Sequence, residues 1–438
     1  MARKAGHIWF FFAKATLFII VLGIFFIGQI IFYKQTVFYF WGNYIVLLLY
    51  TINLYFTNKI YQGFNFGSVD WQEIFLSWVL SLILTNILQY LMLSLLSNQL
   101  LSVIGFLVVF AIQLVLIIPT TLVIRKLYYR INPAQKAIVI YKNEGIAHEY
   151  CSIIEKHRDR FKISKIVAQD EPLEALFHQI EEAESVFILD LDEEYRETIL
   201  EYCYMHNKRI YIQPTFSGVM LYTASTAWIS NTPMFLPKNP MLDPVQLFFK
   251  RCMDIVISLV AIILASWLML IIWAAIRIED HGPAIYKQTR VTKDGKLFTL
   301  YKFRSMKPDA EADGVPRLAS KDDIRITATG RILRKTRLDE LPQFFNVLSG
   351  KMSLVGPRPE RPEIAKEYEE KYPYFSIRTK IKAGITGYAQ IYGKYSTAPD
   401  EKLFLDVIYI EKFSIWQDIK LLLQTLRVIL IPTGAEGL

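Results

Sequence analysis

From Ile74 to Ile124 the chain runs for 51 residues without a single Asp, Glu, Lys or Arg. A run of that kind is too apolar for a water-exposed surface, and its length is that of two crossings of a hydrocarbon layer about 30 Å thick, joined at Ser97-Asn98-Gln99. Residues 8 to 33 form a further apolar span interrupted only by Lys14, and residues 35 to 58 carry no charge. The reading is a four-helix transmembrane bundle over residues 1–130. No small-residue cleavage pattern follows the first span, so it reads as a retained helix rather than a signal peptide. Arg3 and Lys4 at one end, and Arg125, Lys126 and Arg130 at the other, place both ends of the bundle in the cytoplasm. It carries no charged pair at mid-membrane and reads as an anchor, not a transport path.

After residue 131 the periodicity changes. Short β-rich runs at 137–141, 161–168, 185–189 and 209–212 alternate with helical patterns, which predicts a small doubly wound, Rossmann-like α/β domain over residues 131–215. The turn after the first run is Lys142-Asn143-Glu144-Gly145, without Gly-x-Gly-x-x-Gly, so the phosphate cradle of a dinucleotide site is missing and a structural or regulatory role is expected. Residues 216–247, entered at Pro214 and carrying Pro233, Pro237, Pro240 and Pro244, read as a connector. A mainly helical domain over 248–438 then opens with another uncharged stretch, the 22 residues from Ile255 to Ile276. Lys250 and Arg251 precede this stretch, and Arg277, Lys287, Arg290, Lys293 and Lys296 follow it. Both flanks therefore read as cytoplasmic, and a re-entrant helix at about 252–277, dipping in and returning, satisfies both.

The net charge of +8 is concentrated late: from Arg277 onward there are 28 Lys/Arg against 21 Asp/Glu. In a membrane protein that balance points to anionic headgroups or phosphorylated substrates and not to nucleic acid. Cys151, Cys203 and Cys252 lie too far apart in sequence for zinc-ligand spacing or a disulfide framework. His281 is the one histidine after residue 250, so imidazole acid–base chemistry is not expected.

The densest chemistry lies between Arg331 and Arg358. Asp339-Glu340 follows Arg331, Arg334, Lys335 and Arg337, and precedes an apolar helical run and the rigid turn Gly356-Pro357-Arg358-Pro359. Asp339 reads as the N-cap of a helix carrying Pro342 in its first turn and stopped by Gly350. A positive helix end would hold both carboxylates and also attract phosphate. Arg358, between two prolines, presents its planar fork at low entropic cost, which suits two phosphate oxygens. The plainer alternative is that Asp339 is only a cap and the basic residues a solvated face. Residues 413–430 read as an amphipathic helix, either core or lying on the membrane surface.

Taken in order, the membrane stretch, Gly282-Pro283, Gln288-Thr289-Arg290, Lys302-Phe303-Arg304-Ser305-Met306, Asp339-Glu340-Leu341-Pro342-Gln343, Gly356-Pro357-Arg358-Pro359, Gly384-Ile385-Thr386-Gly387 and Asp418 resemble the bacterial sugar transferase family. The whole chain is similar to its long-form members, the undecaprenyl-phosphate galactose or glucose phosphotransferases. The resemblance implies a polyprenyl-phosphate hexose-1-phosphate transferase of the bacterial inner membrane, its catalytic domain facing the cytoplasm, that initiates exopolysaccharide, capsule or O-antigen synthesis. It implies Asp339 as the nucleophile on the β-phosphorus of a UDP-sugar, Glu340 as a Mg2+ ligand, and Lys302, Arg304, Arg334, Arg358 and Gln343 around the phosphates. UDP-sugar, undecaprenyl phosphate and membrane lipid are the expected partners, with a second copy of the chain as a further one. Two departures stand out: Ala265-Ser266-Trp267-Leu268 lacks the proline that breaks the family's re-entrant helix, so Ser266 or packing must supply the break, and Ala383 and Tyr388 flank the glycine loop in place of Pro and Trp. A silent scaffold is disfavoured by the intact Asp339, Glu340 and Arg358. A processive glycosyltransferase is disfavoured because no Asp-x-Asp is read within a nucleotide-sugar domain.

Overall fold

In the computed structural model the described residues are 2–33, 41–67, 69–237, 243–308, 310, 323–393 and 398–430. They belong to two compact units, Met1–Pro214 and Thr215–Leu438.

The first unit opens with helices Ala2–Phe32, Gly42–Tyr61, Trp71–Leu96 and Val103–Ile131. Their shared core includes Val21, Phe25, Tyr50, Leu54, Trp78, Leu82 and Ile117, with Phe25 stacked on Tyr50 at 3.7 Å between ring centroids. A polar seam ties the helices together where hydrophobic driving force is weak: the Tyr50 hydroxyl donates to Asn86 Oδ1 at 3.2 Å, and Asn86 Nδ2 to Gln113 Oε1 at 3.1 Å. Gln113 Nε2 in turn donates to the Val21 carbonyl at 3.2 Å. Among the described residues, the helices long and apolar enough to cross a membrane are Ile8–Phe32, Trp71–Leu96, Val103–Ile131 and Pro244–Asp280. Three of these lie before residue 132, and the fourth helix of the expected bundle, Gly42–Tyr61, is present. The Gly42–Tyr61 helix packs into the same core, but Asn43, Asn53, Asn58 and Lys59 dilute its apolar character.

The rest of this unit is a four-stranded parallel sheet of Gln135–Tyr141, Phe161–Ala168, Ser185–Leu189 and Arg209–Ile212, in the order second, first, third, fourth. Ile138 and Ile140 face one apolar cluster while Ala137 and Val139 face another, as a sheet covered by helices on both sides requires. In the turn after the first strand, the Asn143 side chain takes the Gly145 amide at 2.9 Å and the Ile146 amide at 3.4 Å.

In the second unit, residues 216–237 of the span read as a connector are structured, and 238–242 lie outside the described residues. Helix Phe216–Thr223 buries Val219 against Phe375, Leu403 and Val407, and Ser225–Ile229 pairs with Thr232–Leu236 as an antiparallel hairpin. Pro214 and Pro237 flank short elements, Pro240 lies outside the described residues, and the apolar face of Phe216–Thr223 docks on the body of the unit. Next comes one 37-residue helix, Pro244–Asp280, capped by Asp243 and ended by left-handed His281.

This helix is continuous. The break expected at Ser266 is absent, and the Ser266 hydroxyl bonds back to the Ile263 carbonyl at 2.8 Å within the helix. Without a proline no donor is missing from the ladder, so nothing forces a kink. Both ends meet the same folded unit: Lys250 and Asp254 lie against the Ser353–Val355 strand, and Ile272 and Ile276 against Ala284, Phe303 and Leu333. The opposite face, with Phe248, Phe249, Val256, Leu259, Val260 and Ile263, is apolar and exposed.

The site is framed by the antiparallel strands Ile285–Val291 and Leu297–Phe303, helices Ala328–Thr336 and Gln343–Leu348, and the parallel pair Ser353–Val355 and Gly384–Thr386. Helices Pro362–Lys371, Pro399–Glu411 and Ile415–Leu430 complete the unit. Leu421 of the last helix is buried in the central cluster with Val347, Leu354 and Tyr409, so that helix contributes to the core.

Candidate active site

Asp339 and Glu340 are placed by their apolar neighbours. Arg337 turns left-handed at φ 55° and ends the Ala328–Thr336 helix, and Leu338–Glu340 follows as one 3-10 turn. Leu338 and Leu341, three residues apart, both pack on the cluster of Ile272, Phe303 and Leu333. With those two positions facing inward, the two carboxylates between them face away from the cluster. Asp339 is therefore not the N-cap expected from the sequence: the next helix begins at Gln343, with Pro342 in the cap position and no side-chain cap.

Glu340 is held by two cations. Lys302, on the Leu297–Phe303 strand, lies 3.2 Å from Glu340 Oε1, and Arg358 lies 3.1 Å from the same oxygen. Among the described residues no hydrogen bond falls on Glu340 Oε2, and none reaches the Asp339 carboxylate, although Asp339 is 9% exposed. Burial pushes the Asp339 carboxyl up to about 6 against the pull of Lys302. Burial acts in the same sense on Glu340, but Lys302, Arg358 and Arg337 outweigh it and hold that carboxyl well below the usual range. Lys302 itself is pushed down by burial, opposed by Glu340. The outcome is one carboxylate locked as an anion and a neighbour left without a partner.

Arg358 is fixed through its backbone. The Gly356 amide donates to the Thr386 carbonyl at 2.8 Å, and the Gly384 amide to the Pro357 carbonyl at 2.9 Å. These chains approach so closely that a Cβ on Gly384 would sit 2.1 Å from the Gly356 nitrogen. Two arginines finish the clamp: buried Arg378 donates to the Arg358 carbonyl at 2.9 Å, and half-buried Arg290 to the Pro359 carbonyl at 3.2 Å. The site reading did not include either arginine. Arg290 stood inside the Gln288-Thr289-Arg290 motif, which was the available signal; for Arg378 the sequence offered none.

Lys302, Asp339, Glu340 and Arg358 thus come together. Arg334 sits within electrostatic reach of Asp339, its Nε on the Ser305 hydroxyl at 2.8 Å and one buried guanidinium nitrogen without a partner. Gln343 is buried at the start of its helix. Arg304 is used elsewhere: its guanidinium bonds Asp280 at the end of the long helix and lies where a side chain on Gly282 would be. No group of three or more His, Cys, Asp or Glu side chains among the described residues forms a metal cage.

Residues 245–432 match the family model described as bacterial sugar transferase. An uncharacterized sugar transferase, EpsL, of Bacillus subtilis is 38% identical over 192 residues, 43% of this chain and 91% of that protein. This chain belongs to the bacterial sugar transferase family. It is 42% identical over 197 residues to the UDP-N-acetylgalactosamine-undecaprenyl-phosphate N-acetylgalactosaminephosphotransferase of Aeromonas hydrophila, covering 44% of this chain and 46% of that one. To the undecaprenyl-phosphate galactose phosphotransferase of Salmonella typhimurium it is 38% identical over 246 residues, 52% and 51% of the two chains. The chain spans about half the length of these two relatives. The family match contains every site residue named above and leaves the membrane bundle and the α/β domain outside.

Proposed function

We propose that this protein transfers hexose 1-phosphate from a UDP-sugar to undecaprenyl phosphate, releasing UMP and forming an undecaprenyl-diphosphate sugar that begins an exopolysaccharide, capsule or O-antigen. The observation that carries this reading is the asymmetry of the carboxylate pair: Asp339 is buried and unpartnered beside a Glu340 locked by Lys302 and Arg358. An unpartnered, ionised carboxylate among cations is a nucleophile for phosphorus. An oxygen of Asp339 attacks the β-phosphorus, the bond from that phosphorus to the bridging oxygen breaks, and UMP leaves with the electron pair. An oxygen of the lipid phosphate then attacks the same phosphorus and expels Asp339. Arg358 and Lys302 offset the phosphate charge through both steps, and the unpartnered nitrogen of Arg334 is a further donor for a phosphate oxygen.

The donor set fits magnesium. One or two carboxylates with the remaining ligands from phosphates and water is how Mg2+ is usually held, and Asp339 and Glu340 Oε2 are the protein oxygens left for it. When bound, the ion would neutralise phosphate charge that otherwise repels the nucleophile. The lipid acceptor and the basic flanks of the Pro244–Asp280 helix support an inner-membrane location with the catalytic unit in the cytoplasm. Cysteines placed near residues 245 and 310 should both resist an impermeant thiol reagent in intact cells, and labelling of the second from outside would refute that topology.

With UDP-sugar and magnesium but no lipid phosphate, the enzyme should release about one UMP per site and retain a hexose-phosphate adduct by intact-protein mass spectrometry, absent from Asp339→Asn. UDP in place of UMP would overturn transfer of sugar phosphate. A reaction with no burst and no adduct would point to direct transfer in a ternary complex.

A further inference from the structure

A second group of cations lies at the start of the long helix, outside the Glu340 network. Lys382 is half-buried just before the Gly384–Thr386 strand, and neither a hydrogen bond nor an ion pair reaches its ammonium among the described residues. Across Gly350, whose φ is +77°, the point a Cβ would occupy is 3.5 Å from an Arg251 guanidinium nitrogen and 3.8 Å from Lys382 Nζ. The backbone carrying Lys293 is brought to the same place because the hydroxyl of neighbouring Thr292 accepts the Ala383 amide at 3.2 Å and donates to the Lys351 carbonyl at 3.0 Å, and the Lys293 charge acts on Lys382. Arg251 is immobilised on the Val347 and Leu348 carbonyls at 2.6 and 2.8 Å, whereas among the described residues the Lys293 ammonium, like that of Lys382, has no partner. The acidic group facing Lys382, Asp254, already accepts the Leu354 amide at 3.1 Å.

Cations gathered at half-buried positions repel one another and lose hydration, an arrangement that a bound anion relieves. The position identifies the anion. Arg251 is on the first turns of the Pro244–Asp280 helix, whose outer face carries exposed Phe248, Phe249, Val256, Leu259 and Val260. A helix with one apolar face open and basic groups beside its end seats acyl chains against the former and headgroup phosphate against the latter. We propose that Arg251, Lys293 and Lys382 form a binding site for the phosphate of an anionic bilayer phospholipid, separate from the transfer site at Asp339.

The full chain, purified in mild detergent and titrated with phosphatidylglycerol, tests this by native mass spectrometry without any turnover. Lys293→Gln/Lys382→Gln should bind phosphatidylglycerol about 25-fold more weakly than wild type, roughly fivefold for each lysine, which corresponds to about 1 kcal/mol per basic residue near a charged membrane surface. Phosphatidylcholine retention should not change, and Lys293→Arg/Lys382→Arg should bind like wild type. Unaltered phosphatidylglycerol binding in the glutamine variant would overturn the site, as would an equal loss in the arginine variant. Parallel titrations with a short-chain polyprenyl phosphate and with inorganic phosphate separate the sources. A glutamine variant that loses the polyprenyl phosphate but keeps phosphatidylglycerol would assign these cations to the acceptor and overturn the phospholipid reading. Because the readout is lipid retention, a failed transfer assay would leave this result standing.

Discussion

The second unit holds two lysine–carboxylate networks, one buried and one partly exposed, and they differ in what is left over. At the base of the long helix Lys250 lies 2.5 Å from Asp418 Oδ2 and also donates to the Val355 carbonyl at 2.9 Å. Tyr409 donates to Asp418 Oδ1 at 2.7 Å, so both carboxylate oxygens are used. At the other network Lys302 and Arg358 share a single oxygen of Glu340 and, among the described residues, no hydrogen bond reaches the Asp339 carboxylate. The first arrangement is closed and ties the long helix to the Ile415–Leu430 helix and the Ser353–Val355 strand. The second leaves capacity for a ligand. Similar residue types thus make a buried, closed strut in one place and a partly exposed, open site in the other, and the two differ also in the number of unfilled hydrogen-bonding positions.

Asp339→Asn should break the contrast most sharply. Turnover should fall at least about a thousandfold, about 4 kcal/mol of transition-state stabilisation, with the protein still folded. Folded protein retaining more than about a tenth of wild-type activity would sink the nucleophile assignment.

Lys250→Met is the converse experiment. Leaving Asp418 buried and unpaired should cost about 3–5 kcal/mol of stability, and Lys250→Met/Asp418→Leu should recover part of it. Denaturant unfolding in detergent checks this, and a loss below about 1 kcal/mol would show that the closed network is not a strut.

The pH dependence separates the networks further. Because the folded-state Asp339 carboxyl is raised to about 6 from 3.8, its contribution to stability is present below pH 4 and lost as pH rises through 6. Asp339→Asn should therefore gain stability over wild type between pH 5 and 7, by at most about 3 kcal/mol, and match it near pH 4. In wild type kcat/KM should fall below about pH 6, as Asp339 takes up its proton. A stability difference that is flat with pH would contradict the unpartnered state of Asp339.

Glu340→Gln is the mildest of the four. It should raise the magnesium concentration needed for half-maximal rate by about tenfold, the scale on which disturbing a metal's surroundings acts. A metal titration that overlays wild type would remove Glu340 from the ligand set.

Much of this molecule was legible in one dimension, for identifiable reasons. The uncharged runs marked the apolar helices because burying charge in hydrocarbon is costly at any position. Strands at 161–168, 185–189 and 209–212 coincide with the β-rich runs, and 137–141 falls two residues short of the strand that begins at Gln135. These are local signals, and Asp339-Glu340 amid basic residues is another. Tertiary structure decided the rest, since it depends on what lies opposite. Asp339 lost its expected role as a helix cap because Leu338 and Leu341 anchor the turn on Phe303 and Leu333. Arg304, two residues from Lys302 in sequence, was drawn to Asp280, while Lys302 reached Glu340. Lys250 and Asp418, 168 residues apart, could become partners only once the long helix and the Ile415–Leu430 helix were brought together. A sequence fixes which groups carry charge and which segments avoid water; which charge remains without a partner is settled by the three-dimensional arrangement of its neighbours.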